Sequence, residues 1–228
     1  MVRYLPLDNI RTLYDGFAAP VTDLDCGLKC APYNPTGKPF CCDICQAVPA
    51  VYRQEWDYLR LATDLWHVWR GDECLESPED PAVLAAETPE SMLLLACQGP
   101  VHCQRPQRAL SCRQFPFFPY ISSDFRFLGL AYEWEFEQTC WVISSLAAVT
   151  QAYRREFIQT YEQIFIAYPE EFNSYMLHSE DLRAHYCTIK RRFPLLHRNG
   201  GCYLLSPGSE HLRCVSPERL PRFGLYKT

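Results

Sequence analysis

Thirteen cysteines constrain this chain more than any other feature, because a thiol can form a cross-link, bind a metal or pack as a small apolar group. Nine of them fall in two groups along the chain: Cys26, Cys30, Cys41, Cys42 and Cys45, then Cys97, Cys103, Cys112 and Cys140. An odd number of cysteines and the absence of a secretory signal pattern over residues 1–25 disfavour a secreted disulfide framework. In a reducing compartment disulfides are rarely maintained, so thiolate metal ligation is the natural interpretation.

The charge balance bears on the class of partner. The chain has 22 basic and 27 acidic residues, and no long run of either sign occurs. This argues against nucleic acid or an anionic membrane as an obligatory partner. Since no segment approaches the roughly 18 uncharged residues of a membrane helix, we expect a cytoplasmic protein.

The first half of the chain contains two predicted helices between the cysteine groups. Apolar residues at helical spacing predict a helix over about residues 49–70, which would carry one group towards the other. The stretch from Pro89 to Ala96 is predicted to be a short apolar helix that ends at Cys97.

Aromatic and aliphatic runs on both sides of Ser122-Ser123-Asp124 predict a hairpin over about residues 115–132. An apolar stripe from Val142 to Tyr168 predicts one continuous core helix, and a second helix is expected from Pro169 to Ile189. A terminal hairpin should follow after Gly200-Gly201.

These elements predict an α+β fold that is mostly α-helical, with small antiparallel hairpins and a cysteine metal site built from loops. We expect a single domain over 1–228, with a cysteine-cluster metal-binding region at 26–140 and a helical C-terminal part at 141–228 that ends in a small hairpin.

The cysteine spacing supports a metal without identifying it. Short proline-containing loops would bring the thiolates of each group together, and neither group alone offers four well-spaced ligands. The spacing is neither that of a zinc ribbon nor that of a ferredoxin. Because successive side chains diverge, the adjacent pair Cys41 and Cys42 indicates two metals, a polynuclear cluster or one residue that is not a ligand.

A set of motifs in this region resembles the YkgJ-type cysteine-cluster family of zinc- or iron-chelating domains, which includes flagellin lysine N-methylases. The motifs are Cys26, Cys30-Ala31 leading to Cys41-Cys42, Cys97, Cys103-Gln104-Arg105-Pro106, Cys112-Arg113-Gln114-Phe115-Pro116 and Cys140. The resemblance implies ligation by the cysteines of both groups, with Cys45 as an extra candidate peculiar to this chain. The other four cysteines, Cys74, Cys187, Cys202 and Cys214, are interpreted as packing residues or spare thiols.

Arg113 is the candidate for a charge that offsets the thiolates. Several thiolates around one metal carry net negative charge, which a guanidinium can balance through hydrogen bonds to sulfur or to backbone. A surface arginine without this role is the alternative.

The leading hypothesis is a metal-binding protein with a redox or structural role. An iron–sulfur cluster is favoured over zinc as the cofactor, because more thiols converge than one zinc ion needs. One alternative is a protein-modifying enzyme of the lysine N-methylase kind, although no cofactor loop is recognisable and catalytic residues are unknown. Another is a zinc-stabilised protein-interaction module. The expected partner is therefore a protein or a protein substrate.

Overall fold

The computed structural model describes residues 7–74 and 80–226, which belong to two compact units. Unit 1 comprises Met1–Ala18 and Asp25–Gln114, and unit 2 comprises Ala19–Leu24 and Phe115–Thr228. The division between the long segments falls at Gln114–Phe115, so Cys140 lies in unit 2. Among the residues described, none of the helices is long and apolar enough to cross a bilayer.

Unit 1 is built from short elements. Its helices are α1 (Leu7–Gly16), α2 (Gly27–Cys30), α3 (Arg53–Ala62), α4 (Pro81–Glu87) and α5 (Leu110–Gln114). Its strands are β1 (Ala50–Tyr52), β2 (Trp66–Val68) and β3 (Met92–Cys97). Single 3-10 turns occupy Ala31–Tyr33, Phe40–Cys42, Pro100–His102 and Arg105–Gln107.

The three strands of unit 1 form an antiparallel sheet in the order β1-β3-β2. Val51 pairs with Leu93 on one side of β3, and Trp66 pairs with Cys97 on the other. Apolar side chains from α1, the residue after it, α3 and the sheet form the core, including Ile10, Leu13, Phe17, Val51, Leu59 and Leu95. Burial of this apolar surface favours the folded state of unit 1.

Unit 2 contains the longer elements. Its strands are β4 (Phe117–Ile121), β5 (Phe127–Tyr132), β6 (Phe193–His197), β7 (Cys202–Leu205) and β8 (Leu212–Val215). Its helices are α6 (Gln151–Ala167) and α7 (Pro169–Thr188), with 3-10 segments at Trp134–Phe136, Ile143–Ala148, Pro217–Arg219 and Gly224–Tyr226. The strands form one antiparallel sheet in the order β4-β5-β6-β7-β8.

Aromatic side chains fill the core of unit 2. Phe117 packs against Tyr153 of α6, and Tyr120 packs against Phe193 of β6. A buried polar network also lies inside this unit, where Glu137 accepts hydrogen bonds from Tyr132, Tyr186 and Arg191. The carboxylate is therefore satisfied, as a buried charge must be.

The predicted fold class is wrong. The chain is not mostly helical with small hairpins, because its strands form two antiparallel sheets of three and five members. The predicted helix over residues 49–70 is interrupted: only α3 is helical, with β1 before it and β2 after it. The predicted helix from Pro89 to Ala96 is also wrong, because β3 occupies Met92–Cys97 as the central strand of its sheet. A short apolar run fits either structure until its pairing partners are known.

Two hairpins and one helix predicted for the second half of the chain are confirmed. The hairpin at 115–132 is confirmed by the pairing of β4 with β5, and the helix after Pro169 is confirmed by α7. The terminal hairpin is confirmed by β7 and β8, although the sequence did not show that it extends a larger sheet.

The stripe from Val142 to Tyr168 is two elements rather than one helix. The first segment ends at Ala148, and Thr150 is the N-cap of α6, where its hydroxyl accepts a hydrogen bond from the Tyr153 amide at 3.1 Å. Earlier in the stripe, the Ser144 hydroxyl bonds with the backbone of Phe223 at 2.9 and 3.0 Å, and Ser145 is non-helical. One local and two long-range side-chain hydrogen bonds to the backbone thus accompany the interruption of the helix.

Candidate metal centre

Short helical turns present the first cysteine group. Cys26 immediately precedes α2 and Cys30 is its last residue. The 3-10 turn Phe40–Cys42 presents Cys41 and Cys42, whose Sγ atoms lie 4.0 Å apart. Two thiolates on one tetrahedral zinc would be separated by roughly 3.8 Å. Although adjacent side chains were expected to diverge, the sulfurs of Cys41 and Cys42 are close enough for both to contact one metal ion.

Three different elements present the second group. Cys97 ends β3, where the Gly99 amide donates a hydrogen bond to its sulfur at 3.4 Å. Cys103 follows the 3-10 turn Pro100–His102, and Cys112 lies in α5. Each thiol is thus attached to a regular element or to a turn next to one.

Thiols of the two groups interact electrostatically within unit 1. Burial is the largest cause that raises the pKa of four thiols, and the charge of Cys42 raises each of them further: Cys26, Cys30, Cys97 and Cys112. The pKa of Cys26 reaches about 11. Cys42 belongs to the first group, whereas Cys97 and Cys112 belong to the second, so the fold brings both groups to one region, named here the thiol cluster. Its seven members are Cys26, Cys30, Cys41, Cys42, Cys97, Cys103 and Cys112.

Cys42 differs from its neighbours in acidity. A hydrogen bond with Cys41 is the main cause that lowers the pKa of Cys42 to about 7, against the opposing effect of burial. The positive charge of Arg108 lowers it further. A thiolate is the form of cysteine that binds metals, and near neutral pH Cys42 is closer to that form than Cys26, Cys30, Cys97 and Cys112, whose pKa values are raised.

Arg108 is the cation of the thiol cluster. Its Nε donates a hydrogen bond to the Cys103 sulfur at 3.0 Å. Burial acts against the charge, but the bond to Cys103 and the nearby charges of Cys42 and Cys112 raise the pKa of Arg108. A guanidinium in this position offsets the negative charge that several thiolates would carry.

Arg113, which the sequence suggested as the residue that balances the thiolate charge, donates hydrogen bonds to backbone carbonyls near the thiol cluster. Its Nε donates to the Arg108 carbonyl at 3.0 Å and its Nη2 donates to the Pro106 carbonyl at 2.7 Å. Its Nη1 donates to the carbonyls of Tyr14 and Phe17, just at and after the C-terminal end of α1. Arg113 thereby connects α1 to the loop that carries Arg108.

A buried carboxylate holds the helix that carries Cys112. Glu55 of α3 accepts hydrogen bonds from the Leu110 amide at 2.6 Å, the Tyr14 hydroxyl at 2.7 Å and the Tyr52 amide at 3.3 Å. Only 1% of Glu55 is exposed, and burial raises its pKa. Through these hydrogen bonds, the carboxyl group of Glu55 on α3 connects α3 to α1, to β1 and to the first residue of α5.

Asp43 organises the loop that follows Cys42. Its carboxylate accepts hydrogen bonds from Asn34 at 3.1 Å, Thr36 at 2.8 Å and the Cys45 amide at 3.2 Å. Although burial alone would raise it, these bonds hold the pKa of Asp43 below its usual value. The loop between the two halves of the first group therefore has internal order of its own.

Cys45 requires a correction. The sequence made it a candidate ligand and Cys74 a spare thiol, but the two form a disulfide that spans 29 residues. A disulfide sulfur carries no thiolate, so Cys45 cannot act as a thiolate ligand in this form. The expectation that disulfides would be absent is wrong for this pair.

The remaining candidates lie in unit 2. Cys140 is buried there, with its amide bonded to the Phe136 carbonyl at 2.8 Å. Two histidines of α7, His178 and His185, also lie in unit 2, and His178 bonds to Glu133 at 2.9 Å. Both histidine rings lie beside Trp134, with centroids 5.0 and 5.8 Å from it, which is a packing arrangement.

Within residues 7–74 and 80–226, no group of three or more His, Cys, Asp or Glu side chains is arranged so that it could hold a metal ion. Protonated, buried thiols have no force that draws them together, whereas a cation would supply one. The donor chemistry of the cluster fits a thiophilic metal, and its side chains would have to move to bind one.

Sequence reasoning missed three residues of this region: Arg108, Glu55 and Cys74. The three arginines around Cys103 and Cys112 were a signal for a cation, but spacing did not tell which one reaches a sulfur. Glu55 gave no signal, since a glutamate in the first turn of a helix is ordinarily exposed. The pairing of Cys74 could not be deduced, because cysteine spacing does not determine disulfide connectivity.

Comparison with known proteins adds no relative. No model of a protein family, no curated protein and no solved structure matches this chain. The resemblance to the YkgJ-type family therefore stays a prediction, carried by its motifs alone.

Proposed function

We propose that unit 1 is a metal-binding module in which cysteines from both groups bind an iron–sulfur cluster or zinc through their thiolates. The observation that carries the proposal is the interaction of Cys42 with Cys97 and Cys112, thiols that are 55 and 70 positions away in sequence. Chance packing of small apolar cysteines would not require seven of them in one region.

The electrostatics of the thiol cluster favour a cation. Burial and the nearby charge of Cys42 raise the pKa of Cys26, Cys30, Cys97 and Cys112, so these four thiols hold their protons when no metal is bound. A metal ion offsets that charge and displaces the protons, which makes binding stronger as pH rises. Arg108 offsets part of the negative charge left after the thiols ionise.

The residues divide into ligands and supporting groups. The seven thiols of the cluster are the ligand candidates, and one zinc needs only four, which favours a cluster with several iron atoms. Bound iron and sulfide would supply electron transfer or a structural cross-link. Glu55 and Arg113 orient α5 and the loop before it, and Asp43 orients the loop after Cys42.

The proposal includes a reducing, cytoplasmic setting, because seven thiols close to one another persist where cellular thiols keep them reduced. It also includes the family assignment suggested by the motifs, whose characteristic cysteines fall largely within the thiol cluster.

Metal and acid-labile sulfide analysis of the full chain, purified without oxygen, tests the proposal. Wild-type protein should contain iron with sulfide, or zinc, in at least equimolar amount. Cys42→Ser and Cys112→Ser, one from each group, should each lower metal affinity by at least about tenfold, because a hydroxyl is a poor ligand for soft metals.

Cys187→Ser is the matched control, since Cys187 is exposed on α7 of unit 2. It should leave metal content unchanged. A metal content that is negligible in wild type, or equally affected by all three substitutions, would contradict the proposal.

A further inference from the structure

The Cys45–Cys74 disulfide connects the two parts of unit 1 that carry Cys42 and Cys97. On one side, Cys45 lies three positions after Cys42, in the loop organised by Asp43. That loop is short and internally bonded, so a restraint on Cys45 is transmitted to Cys42.

On the other side, Cys74 follows a segment fixed to the sheet. Glu73 accepts hydrogen bonds from the Arg70 amide at 3.1 Å and from the His67 ring at 3.1 and 3.2 Å. His67 lies on β2, which pairs with β3 so that Trp66 is opposite Cys97. A restraint on Cys74 is therefore a restraint relative to the strand that ends at Cys97.

We propose that Cys45 and Cys74 form a redox clip that regulates metal binding by the thiol cluster. This inference rests on the proposed function. With the disulfide closed, the loop carrying Cys42 is held near the sheet carrying Cys97, so fewer conformations are lost when a metal binds. With the disulfide reduced, that preorganisation is lost and metal affinity falls.

The chemistry is thiol–disulfide exchange with a small cellular thiol such as glutathione. Two glutathione thiols give up two protons and two electrons, their sulfurs join in a new S–S bond, and the Cys45–Cys74 bond breaks to give two protein thiols. The reverse reaction closes the clip and consumes one glutathione disulfide. No further reactant is needed.

Removal of either half of the clip tests the inference with zinc as the probe. Zinc affinity is measured on the anaerobic full chain by competition with a chromophoric chelator, for wild type, Cys45→Ser, Cys74→Ser and the double variant. Each single variant should weaken zinc binding by the same factor, about tenfold, and the double variant should weaken it no further, because all three lack the same bond.

The two single variants separate a clip from a ligand. If Cys45→Ser weakens binding and Cys74→Ser does not, Cys45 acts as a ligand and the clip is refuted. If neither variant weakens binding while Cys42→Ser does, the clip is refuted and the metal site stands. If wild type binds no zinc and no iron, the proposed function itself fails.

A redox titration provides the second measurement. Wild-type zinc affinity should rise as the buffer shifts from reduced glutathione to glutathione disulfide. The titration is limited to buffers in which alkylation and mass spectrometry show that the thiols of the cluster are still reduced. Cys74→Ser, measured in the same buffers, should show no such rise. Equal responses of the two proteins would overturn the inference, because the response would then come from other cysteines.

Discussion

Unit 1 and unit 2 maintain their structures by different means. Unit 2 has helices of 17 and 20 residues and a sheet of five strands around an aromatic core. Unit 1 has no described helix longer than 10 residues and a sheet of three strands, two of which have three residues. Its backbone is instead held by Glu55, Arg113, Asp43 and a disulfide.

This difference indicates where each unit obtains its stability. Long amphipathic elements bury enough apolar surface to offset the conformational entropy lost on folding. Short elements and loops bury less, so small units commonly depend on covalent, metal or polar cross-links. Substitutions in the two units should therefore differ in their effect on stability.

The largest effect should come from the aromatic core of unit 2. Phe157 is fully buried in α6, with its ring 4.7 Å from Tyr161. Phe157→Ala should lower the free energy of unfolding by about 3 to 5 kcal/mol, because it removes buried surface and leaves a cavity. Urea unfolding followed by circular dichroism measures it.

Ile166→Ala is the control on the same helix, since 77% of Ile166 is exposed. It should change the free energy of unfolding by less than about 0.5 kcal/mol. Equal effects of the two substitutions would show that α6 does not pack through Phe157.

The next largest effect should come from the polar centre of unit 1. Glu55→Ala leaves the Leu110 amide, the Tyr14 hydroxyl and the Tyr52 amide without their acceptor. The free energy of unfolding of unit 1 should fall by about 2 to 3 kcal/mol. Hydrogen exchange of the β1–β3 amides measures this unit separately.

Asp57→Ala serves as the matched control, because Asp57 is an exposed carboxylate on the same helix. Its effect should stay within about 0.5 kcal/mol. Should Glu55→Ala cost no more than Asp57→Ala, unit 1 does not depend on its buried polar bonds.

A smaller effect should follow from removing the cation of the thiol cluster. Arg108→Gln loses the charge that balances the thiolates, so metal affinity should fall about tenfold, equivalent to about 1.4 kcal/mol. Chelator competition measures it. Arg105→Gln, an exposed arginine of the same loop, should leave the affinity unchanged; the same loss in both variants would assign the effect to net charge rather than to Arg108.

The smallest effect concerns His178 in unit 2. Burial acts against protonation, but the hydrogen bond to Glu133 raises the pKa of His178 above its usual value. The ion pair therefore stabilises unit 2 fully below about pH 6.5, the unfolded value, and this contribution is lost as pH rises through the higher folded pKa. The loss should be under about 1 kcal/mol, since the pair is partly exposed.

Urea midpoints of wild type and His178→Asn between pH 5 and 8 test this prediction. The difference between the two proteins should be larger at pH 5 than at pH 8, whereas the exposed His211→Asn should follow wild type. A difference that grows towards pH 8 would reverse the assigned direction of the pKa.

The sequence predicted long elements better than short ones. The helix after Pro169 was predictable because its boundaries have their own signal, a proline at the start and a following proline at Pro194. The strand β3 was not predictable, because its six apolar residues fit a helix or a buried strand equally well. The break at Thr150 depends on a hydroxyl cap inside an apolar stripe, which periodicity alone does not reveal.

The sequence predicted which cysteines belong to the candidate site but not what surrounds them. The seven members of the thiol cluster are all among the predicted ligands, and their binding of a metal stays a prediction. Arg108 and the Cys45–Cys74 disulfide were not predictable, because each depends on which loops meet in the folded unit. Cys140 was placed with the others by motif order, whereas it belongs to unit 2.

Hydrogen exchange before and after metal removal shows whether metal ligation by the thiol cluster holds the cysteine segments of unit 1. Removing metal from the anaerobic full chain should increase exchange at residues 26–42 and 97–112, while α6 and α7 remain as protected as before. Residues near Asp43 should change least within the first segment, because their hydrogen bonds do not need the metal. If both cysteine segments stay equally protected without metal, the thiol cluster is not a metal site that holds them, and the account is contradicted.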